Sequence, residues 1–228
     1  MSPLPPLQDK AAAVRSMFDA IAPRYDLVNR LMTFGLDRYW RRAAVQALGQ
    51  PRGSTIVDVA CGTGDFCREL SSAGYRAVGI DFSWGMLASA RTDSPLVQGD
   101  ALRLPFRDRA AAGVTCGFAL RNVTDIAALL AELARVLELG GRLALLEVAR
   151  PEGTLLRTGH SLYFNRIVPL LGGALSDKAA YRYLPESAAY LPEPRALHHL
   201  LEEAGFGRIR RRPFALGAAQ LLTATRIV

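Results

Sequence analysis

The stretch Thr55-Ile-Val-Asp-Val-Ala-Cys-Gly-Thr-Gly-Asp65 joins a β-branched run, a two-glycine turn and the start of a helical segment. Thr55 to Val59 predicts a buried strand and Asp65 to Leu70 a helix, so the glycines stand where such units cradle nucleotides. Gly62 and Gly64 have no Cβ, which lets the backbone turn sharply and approach a ligand closely. The dinucleotide fingerprint wants a third glycine three residues further on, and that position is Cys67. This disfavours a nicotinamide dehydrogenase. Asp58 and Asp65 bracket the turn, and both would repel a pyrophosphate. An acidic turn suits a ligand with a cationic end and no phosphate, such as S-adenosylmethionine with its ammonium and sulfonium.

Further acids follow at the carboxyl ends of the next strands, the edge where open parallel sheets bind ligands. Asp81 lies roughly twenty residues beyond the glycine turn, where a carboxylate takes ribose hydroxyls. Asp100, with the backbone of Ala101, is placed to accept from an adenine amino group, and by spacing alone it serves equally as a turn aspartate. Thr63 between the glycines, Phe82 after Asp81 and Gly117 near the end of the fourth strand complete the expected cofactor contacts. Phe118-Ala-Leu-Arg-Asn-Val-Thr-Asp125 then brings Arg121 and Asn122 to the same edge. It has no Pro-Pro-aromatic run of the kind used to methylate planar nitrogen. Cys116 is not preceded by proline, so it reads as a buried thiol and not as the nucleophile of an RNA cytosine methylase. His160, His198 and His199 have no metal-like spacing, no metal is expected, and no Gly-x-Ser-x-Gly elbow occurs.

These residues need a scaffold, and the pattern supplies one. From Thr55 onward strand and helix alternate, as in a parallel sheet covered on both faces. Strands are expected at Arg76–Ile80, Leu96–Gln98, Gly113–Phe118 and Arg142–Val148, with closing strands near Arg208–Phe214 and Ala218–Ile227. Ser83 is placed to cap the helix carrying Met86 and Leu87. The helix from Ile126 to Leu137 should end at Gly140-Gly141, and the helix from Leu197 to Ala204 at Gly205. Before the sheet, residues 1–10 read as loose and proline-rich. Val14, Met17, Phe18 and Ile21 and then Leu27, Val28, Leu31 and Met32 recur at helical spacing, broken near Pro23, with a third helix over Asp37–Leu48. Residues 150–192 break the alternation and read as a helical insertion over the carboxyl ends of the strands. The expected organisation is one domain over 1–228, with a helical cap at 1–50 and a helical lid at 150–192.

The 228 residues suffice for one well-cored domain, and half of them are hydrophobic. No run of about 18 apolar residues lacks a charge, which argues against a membrane-spanning helix. Met1-Ser-Pro-Leu-Pro-Pro lacks a basic-then-apolar signal pattern, which places the protein in the cytoplasm. Cys61, Cys67 and Cys116 are odd in number and read as reduced thiols. The net charge of +7 fits nucleic acid, an anionic membrane surface or plain solubility, and does not choose among them.

Across nearly its whole length the chain resembles the ubiquinone/menaquinone biosynthesis C-methyltransferase family. Phe18-Asp-Ala-Ile-Ala-Pro-Arg-Tyr-Asp-Leu-Val-Asn29 with Trp40-Arg41 is similar to that family's N-terminal signature. Asp58-Val-Ala-Cys-Gly-Thr-Gly-Asp65, Gly79-Ile-Asp-Phe-Ser83, Leu104-Pro-Phe106 and Leu120-Arg-Asn-Val-Thr-Asp125 resemble its central blocks. Leu146-Glu-Val-Ala-Arg-Pro151, Tyr183-Leu-Pro-Glu-Ser187 and Ala204-Gly-Phe206 resemble its later ones. Departures fall at Thr33, Asp37, Ala119, Glu138-Leu139 and Gly217-Ala-Ala-Gln220. The resemblance implies a class I S-adenosylmethionine-dependent methyltransferase (Rossmann-like) α/β fold, with a mostly parallel seven-stranded sheet and a reversed final strand. It implies methyl transfer from S-adenosylmethionine to a ring carbon of a polyprenylated quinol, with the demethylmenaquinol-to-menaquinol reaction preferred. It also implies that Arg121 stabilises a phenolate or activates a water as base, the first preferred because a guanidinium is a poor base, while Tyr25 and Asn122 orient the ring. The N-terminal helices and the insertion would then form a lid and prenyl channel, and the positive charge would hold the protein against anionic headgroups. Alternatives are the benzoquinol precursor of ubiquinone or another small acceptor. More remote is a non-catalytic protein binding S-adenosylmethionine or RNA, against which the retained Gly62, Gly64 and Asp81 stand; no nucleic-acid partner is expected.

Overall fold

The computed structural model describes residues 7–149, 183 and 186–228. Strands β1 (Thr55–Val59), β2 (Arg76–Asp81), β3 (Leu96–Gln98), β4 (Ala111–Gly117), β5 (Leu137–Val148), β6 (Phe206–Phe214) and β7 (Ala219–Arg226) form one sheet in the order β3-β2-β1-β4-β5-β7-β6. The first five strands pair in parallel, and β7 runs antiparallel to both β5 and β6. This is the mostly parallel sheet with a reversed final strand that the sequence implied. Helices α1 (Leu7–Ile21), α2 (Tyr25–Met32) and α3 (Leu36–Leu48) precede it. Helices α4 (Asp65–Ser72), α5 (Trp84–Ala88), α6 (Ile126–Val136) and α7 (Pro194–Glu203) lie between strands.

Side-chain alternation along the strands divides the core into two layers, because successive residues point to opposite faces. Val57, Val59, Leu143 and Leu145 pack with Leu129, Leu133 and Leu201 of α6 and α7. Their neighbours Ile56, Ala144 and Leu146 pack with Trp40, Val45 and Leu48 of α3 and with Phe66 and Leu70 of α4. A third, smaller cluster of Ile21, Ala22, Val28 and Met86 joins the N-terminal helices to α5.

Three expectations from the sequence need correction. Leu7–Lys10 are not loose: they are the first turn of α1, while residues 1–6 lie outside the described residues. Gly140-Gly141 do not end α6, which closes at Val136. Leu137 already pairs with Ala111, and the glycines form an irregularity inside β5, with Gly140 at φ +79°. Helix α7 starts at Pro194, a residue pre-set for the first helical position, three residues before Leu197. Of the expected lid at 150–192, residues 150–182 and 184–185 lie outside the described residues. Within the remainder, Ala188–Tyr190 form a single 3-10 turn.

Candidate active site

A cavity enclosing about 940 Å³, its open mouth included, lies at the carboxyl edge of β1, β2 and β4 beneath α1. Two non-glycine residues at that edge adopt left-handed backbone, Ala60 at φ +55° and Phe118 at φ +58°. Each costs on the order of 1 kcal/mol, and both line the cavity. At Phe118 the turn has a visible use. Its carbonyl accepts from Arg121 Nη1 at 2.9 Å and from Asn122 Nδ2 at 3.3 Å, which stations both polar residues of the loop.

One end of the cavity is built for hydroxyl donors. Asp81 is held from both sides by main-chain amides, Gly62 N–H to Oδ2 at 2.7 Å and Ser83 N–H to Oδ1 at 2.8 Å. Burial raises its pKa against those hydrogen bonds. Asp100 lines the mouth and accepts from the Leu102 amide at 2.9 Å, so it is both a turn aspartate and a cavity residue. Ala101, Phe82 and Gly117 also line the wall, and Arg15 of α1 lies over the Phe82 ring at 5.1 Å.

The other two acids, Asp58 and Asp65, are not among the residues that line the cavity. Asp58 is buried beneath the strand end, accepts from Thr115 Oγ1 at 2.7 Å, and is pushed up to about 7 by its burial. Asp65 is bridged to Arg68 and to Arg41, the latter at 3.1 Å, and Gly64, not Asp65, occupies the helix-cap position. The feature of this wall that would disfavour a phosphate lies elsewhere. The Gly62 amide that would cradle it already serves Asp81, and Asp81 with Asp100 makes this end of the wall acidic. Gly64 needs its glycine: it sits at φ +82°, and a Cβ there would stand 2.7 Å from Thr92 Cγ2. Thr63 faces away from the cavity, its hydroxyl bonded to the Asp26 carboxylate of α2. Cys67 fills the space of the fingerprint's third glycine because β2 supplies the room. A Cβ on Gly79 would meet the Cys61 and Cys67 sulfurs at 2.8 and 3.0 Å. The Cys67 thiol and burial push the Cys61 thiol up, and burial does the same to Cys116, which disfavours a thiolate at both; all three cysteines are buried and none is in a disulfide.

The far end is apolar. Val14 and Phe18 of α1, Met86 of α5 and Val123 wall it, and Tyr25 packs edge-on against Phe18 at 6.0 Å between ring centres. Burial raises the pKa of the Tyr25 hydroxyl. Asn122 also lines this end, and its Oδ1 is buried without a hydrogen-bond partner. Arg121 does not reach the cavity. Its guanidinium pairs with the fully buried Glu147 and donates from Nε to Ser187 Oγ at 3.2 Å. Glu147 Oε2 and the Tyr183 hydroxyl beside Arg121 are buried and likewise unpartnered.

Of the twelve residues expected from the sequence, the cavity gathers Tyr25, Asn122, Gly62, Asp81, Phe82, Asp100, Ala101 and Gly117. Asp58, Thr63, Gly64 and Arg121 stand behind it as supports. The sequence reading missed the braces. Lys10 of α1 is 2% exposed, donates to Val123 O at 2.7 Å and lies 3.8 Å from the centre of the Tyr190 ring. Asp19 accepts from Ser83 Oγ at 2.6 Å and from the Gly85 amide at 2.8 Å. Glu147 had a signal, a lone acid closing an apolar strand; Lys10 had none. Two departures from the family pattern answer each other: Thr33 Oγ1 donates to Asp37 Oδ1 at 2.9 Å. Burial opposes the Asp37 charge, but Arg41 and Thr33 hold its carboxyl below the usual range.

The model of the ubiE/COQ5 methyltransferase family matches residues 7–226. A relative from Roseiflexus castenholzii, named demethylmenaquinone methyltransferase, is 46% identical, with 96% of each chain covered. A relative from Geobacter sulfurreducens, named ubiquinone/menaquinone biosynthesis C-methyltransferase UbiE, is 38% identical over 95% of this chain and 90% of its own. Among solved structures, a SAM-dependent methyltransferase from Thermotoga maritima superposes with a TM-score of 0.65. It is 20% identical, with 93% of this chain and 99% of the other covered, and it shares the fold.

Proposed function

The chain belongs to the ubiE/COQ5 methyltransferase family, and from that premise we propose that it methylates a ring carbon of a polyprenylated quinol, demethylmenaquinol before others. S-adenosylmethionine supplies an electrophilic methyl group on a positively charged sulfur. The cavity fits that donor: hydroxyl acceptors at Asp81, an acidic mouth at Asp100, a Gly62 amide engaged by Asp81, and an apolar wall beyond. Asp81 takes the ribose hydroxyls, Asp100 and Ala101 the adenine, and the Gly62–Gly64 turn the methionine end.

The observation that carries the acceptor reading is the Asn122 Oδ1 in the cavity wall, buried without a hydrogen-bond partner among the described residues. A quinol hydroxyl is the donor that atom lacks, and satisfying it is worth about 1–3 kcal/mol. Asn122 and Tyr25 orient the ring. Arg121, bound to Glu147 and to the Phe118 carbonyl, is a positioning residue that fixes the loop presenting Asn122. Deprotonation of the quinol hydroxyl pushes an electron pair through the ring to the attacking carbon. The new carbon–carbon bond forms as the carbon–sulfur bond breaks and its electrons stay on sulfur; loss of the ring proton restores the aromatic ring, and reprotonation of the phenolate oxygen gives the quinol, with one proton released to water overall. The protein's contribution is alignment of the two reactants with water excluded. We take the chain as one domain in which helices α1–α3 cap the sheet edge. It works from the cytoplasm at the membrane surface, where such a substrate resides. Among the described residues no helix is long and apolar enough to cross a membrane.

Incubation with labelled S-adenosylmethionine and short-tailed naphthoquinols and benzoquinols tests this. Label is expected on the unmethylated naphthoquinol. Preference for the benzoquinol would move the reading to ubiquinone synthesis, and label on no quinol would end it. The menaquinone preference follows the name of the 46% identical relative, over the dual name of the 38% identical one.

A further inference from the structure

At the edge of the sheet opposite the cavity lies a second opening that encloses about 870 Å³, its mouth included. Arg142 in its wall pairs with Gly113 near the start of β4, whereas the cavity takes Gly117 at that strand's end. The end of α3 and its Gly49 cap form one side, and Arg142 of β5, Arg208 of β6 and Arg226 of β7 form the other. The size suits a small molecule. No aspartate or glutamate lines it.

Partly buried arginines elsewhere in the fold meet carboxylates: Arg41 meets Asp37 and Asp65, Arg121 meets Glu147, and Arg135 meets Asp108 and Glu132. The three at this opening do not. Arg142 donates to Thr225 Oγ1 at 2.8 Å and to the Ala47 carbonyl at 3.2 Å, and its Nε is buried without a partner. Arg226 donates to the main-chain oxygens of Leu137, of Arg135 at 3.5 Å and of Val228 at 2.9 Å. Arg208 is exposed, and its side chain makes no hydrogen bond or ion pair among the described residues. Ala47 lies in the last turn of α3, so the helix dipole offsets part of the Arg142 charge, and Val228 O serves Arg226. Arg208 has no such offset. Three guanidinium groups thus converge on one concave wall without an acid, a field that an anion would complete.

The backbone brings Arg208 here under strain. It stands at φ +51°, left-handed for a residue with a Cβ, in the irregularity between Gly207 and Arg210 where β6 slips register against β7. That bulge delivers Arg208 to the opening beside Thr225 and Arg226.

We propose that this opening binds the phosphate or diphosphate group of a small molecule. A guanidinium fork matches phosphate oxygens, and three of them suit the two or more charges of such a group better than the single charge of a carboxylate. A nucleic-acid backbone would need its phosphates tracked along an extended groove, and these arginines converge on one concavity. The site neither uses nor blocks the cavity at the other edge, so it stands whether or not the quinol reading holds.

Calorimetry of the full chain with inorganic pyrophosphate and with phosphate, at constant ionic strength, tests this. Pyrophosphate should bind with a Kd below about 1 mM and more tightly than phosphate. Saturating S-adenosylhomocysteine should leave that affinity unchanged. Arg208→Gly removes the guanidinium and suits the left-handed backbone. The free variant should therefore melt no lower than the wild type, while its pyrophosphate binding falls about tenfold or more. Arg30→Ala/Arg38→Ala, in the separate arginine pocket beside Asp65 and Glu69, should bind pyrophosphate like the wild type. Absence of pyrophosphate binding, competition with S-adenosylhomocysteine, undiminished binding by Arg208→Gly, or loss of binding in Arg30→Ala/Arg38→Ala would each overturn the proposal. So would a single-stranded RNA or an acidic peptide that binds through Arg208 more tightly than pyrophosphate does, since the partner would then be a macromolecule.

Discussion

The two ends of the cavity share a wall and differ in how they are held. Asp81 is fixed by main-chain amides two and nineteen positions away, at the joint of two paired strands. The acceptor end is held by side chains that bridge long separations: Lys10 to Val123 across 113 positions and Arg121 to Ser187 across 66. The first arrangement comes with the sheet and cannot move without breaking it. The second closes over the sheet through a small core of its own and a few polar braces, so it can loosen while the cofactor end stays formed. On the proposed reading, the donor common to many enzymes would be met by backbone geometry and the particular acceptor by removable parts.

The comparison can be broken most sharply at Arg121. Arg121→Ala strands the buried Glu147 and should cost about 3–5 kcal/mol in urea unfolding, with Arg121→Met/Glu147→Leu recovering most of it. A loss below about 1 kcal/mol would mean the acceptor end does not depend on this pair. Asp81→Ala should weaken S-adenosylmethionine about 100-fold in calorimetry while unfolding stays cooperative. Unchanged affinity would place the ribose elsewhere.

The cofactor end should also carry a pH signature. The buried Asp58 has a folded pKa of about 7 against an unfolded 3.8, so the folded state holds the extra proton. Its contribution is complete below the unfolded value and lost as pH rises towards 7. Between pH 5 and 8 the wild type should lose roughly 2–3 kcal/mol that Asp58→Asn does not lose, measured by denaturant titration at each pH. Parallel profiles would refute a proton held at Asp58.

Smaller effects belong to the acceptor end. Asn122→Ala should lower kcat about tenfold with cofactor affinity unchanged, which separates the two ends in one variant. Lys10→Met should cost about 1 kcal/mol, seen as faster amide exchange confined to α1 with the sheet unaffected. Exchange rising equally in β1 would show that the two ends open together.

Much of the cofactor end was legible in the chain. The strand limits Thr55–Val59 and Leu96–Gln98, the Ser83 cap and the place of Asp81 follow from residues that are neighbours in sequence or one crossover apart. The role of the flanking acids was not. Asp58 and Asp65 look alike beside the glycines, and only their surroundings separate a buried carboxyl on Thr115 from a carboxylate between two arginines. Lys10 fell in a stretch that read as loose because its partners, Val123 and Tyr190, are far along the chain. The glycines at 140–141 read as a helix stop because the pairing of Leu137 with Ala111 is not a local property.

By itself the sequence determined the alternation of strand and helix, the glycine turn and the acid that follows it, since each is written in short-range periodicity and backbone freedom. Tertiary structure decided which polar groups face the cavity and which brace it. Arg121 and Asn122 are adjacent in the chain, yet one is consumed by Glu147 and the other keeps an acceptor free. That division depends on what distant strands and helices bring alongside, and burial makes the outcome energetically decisive.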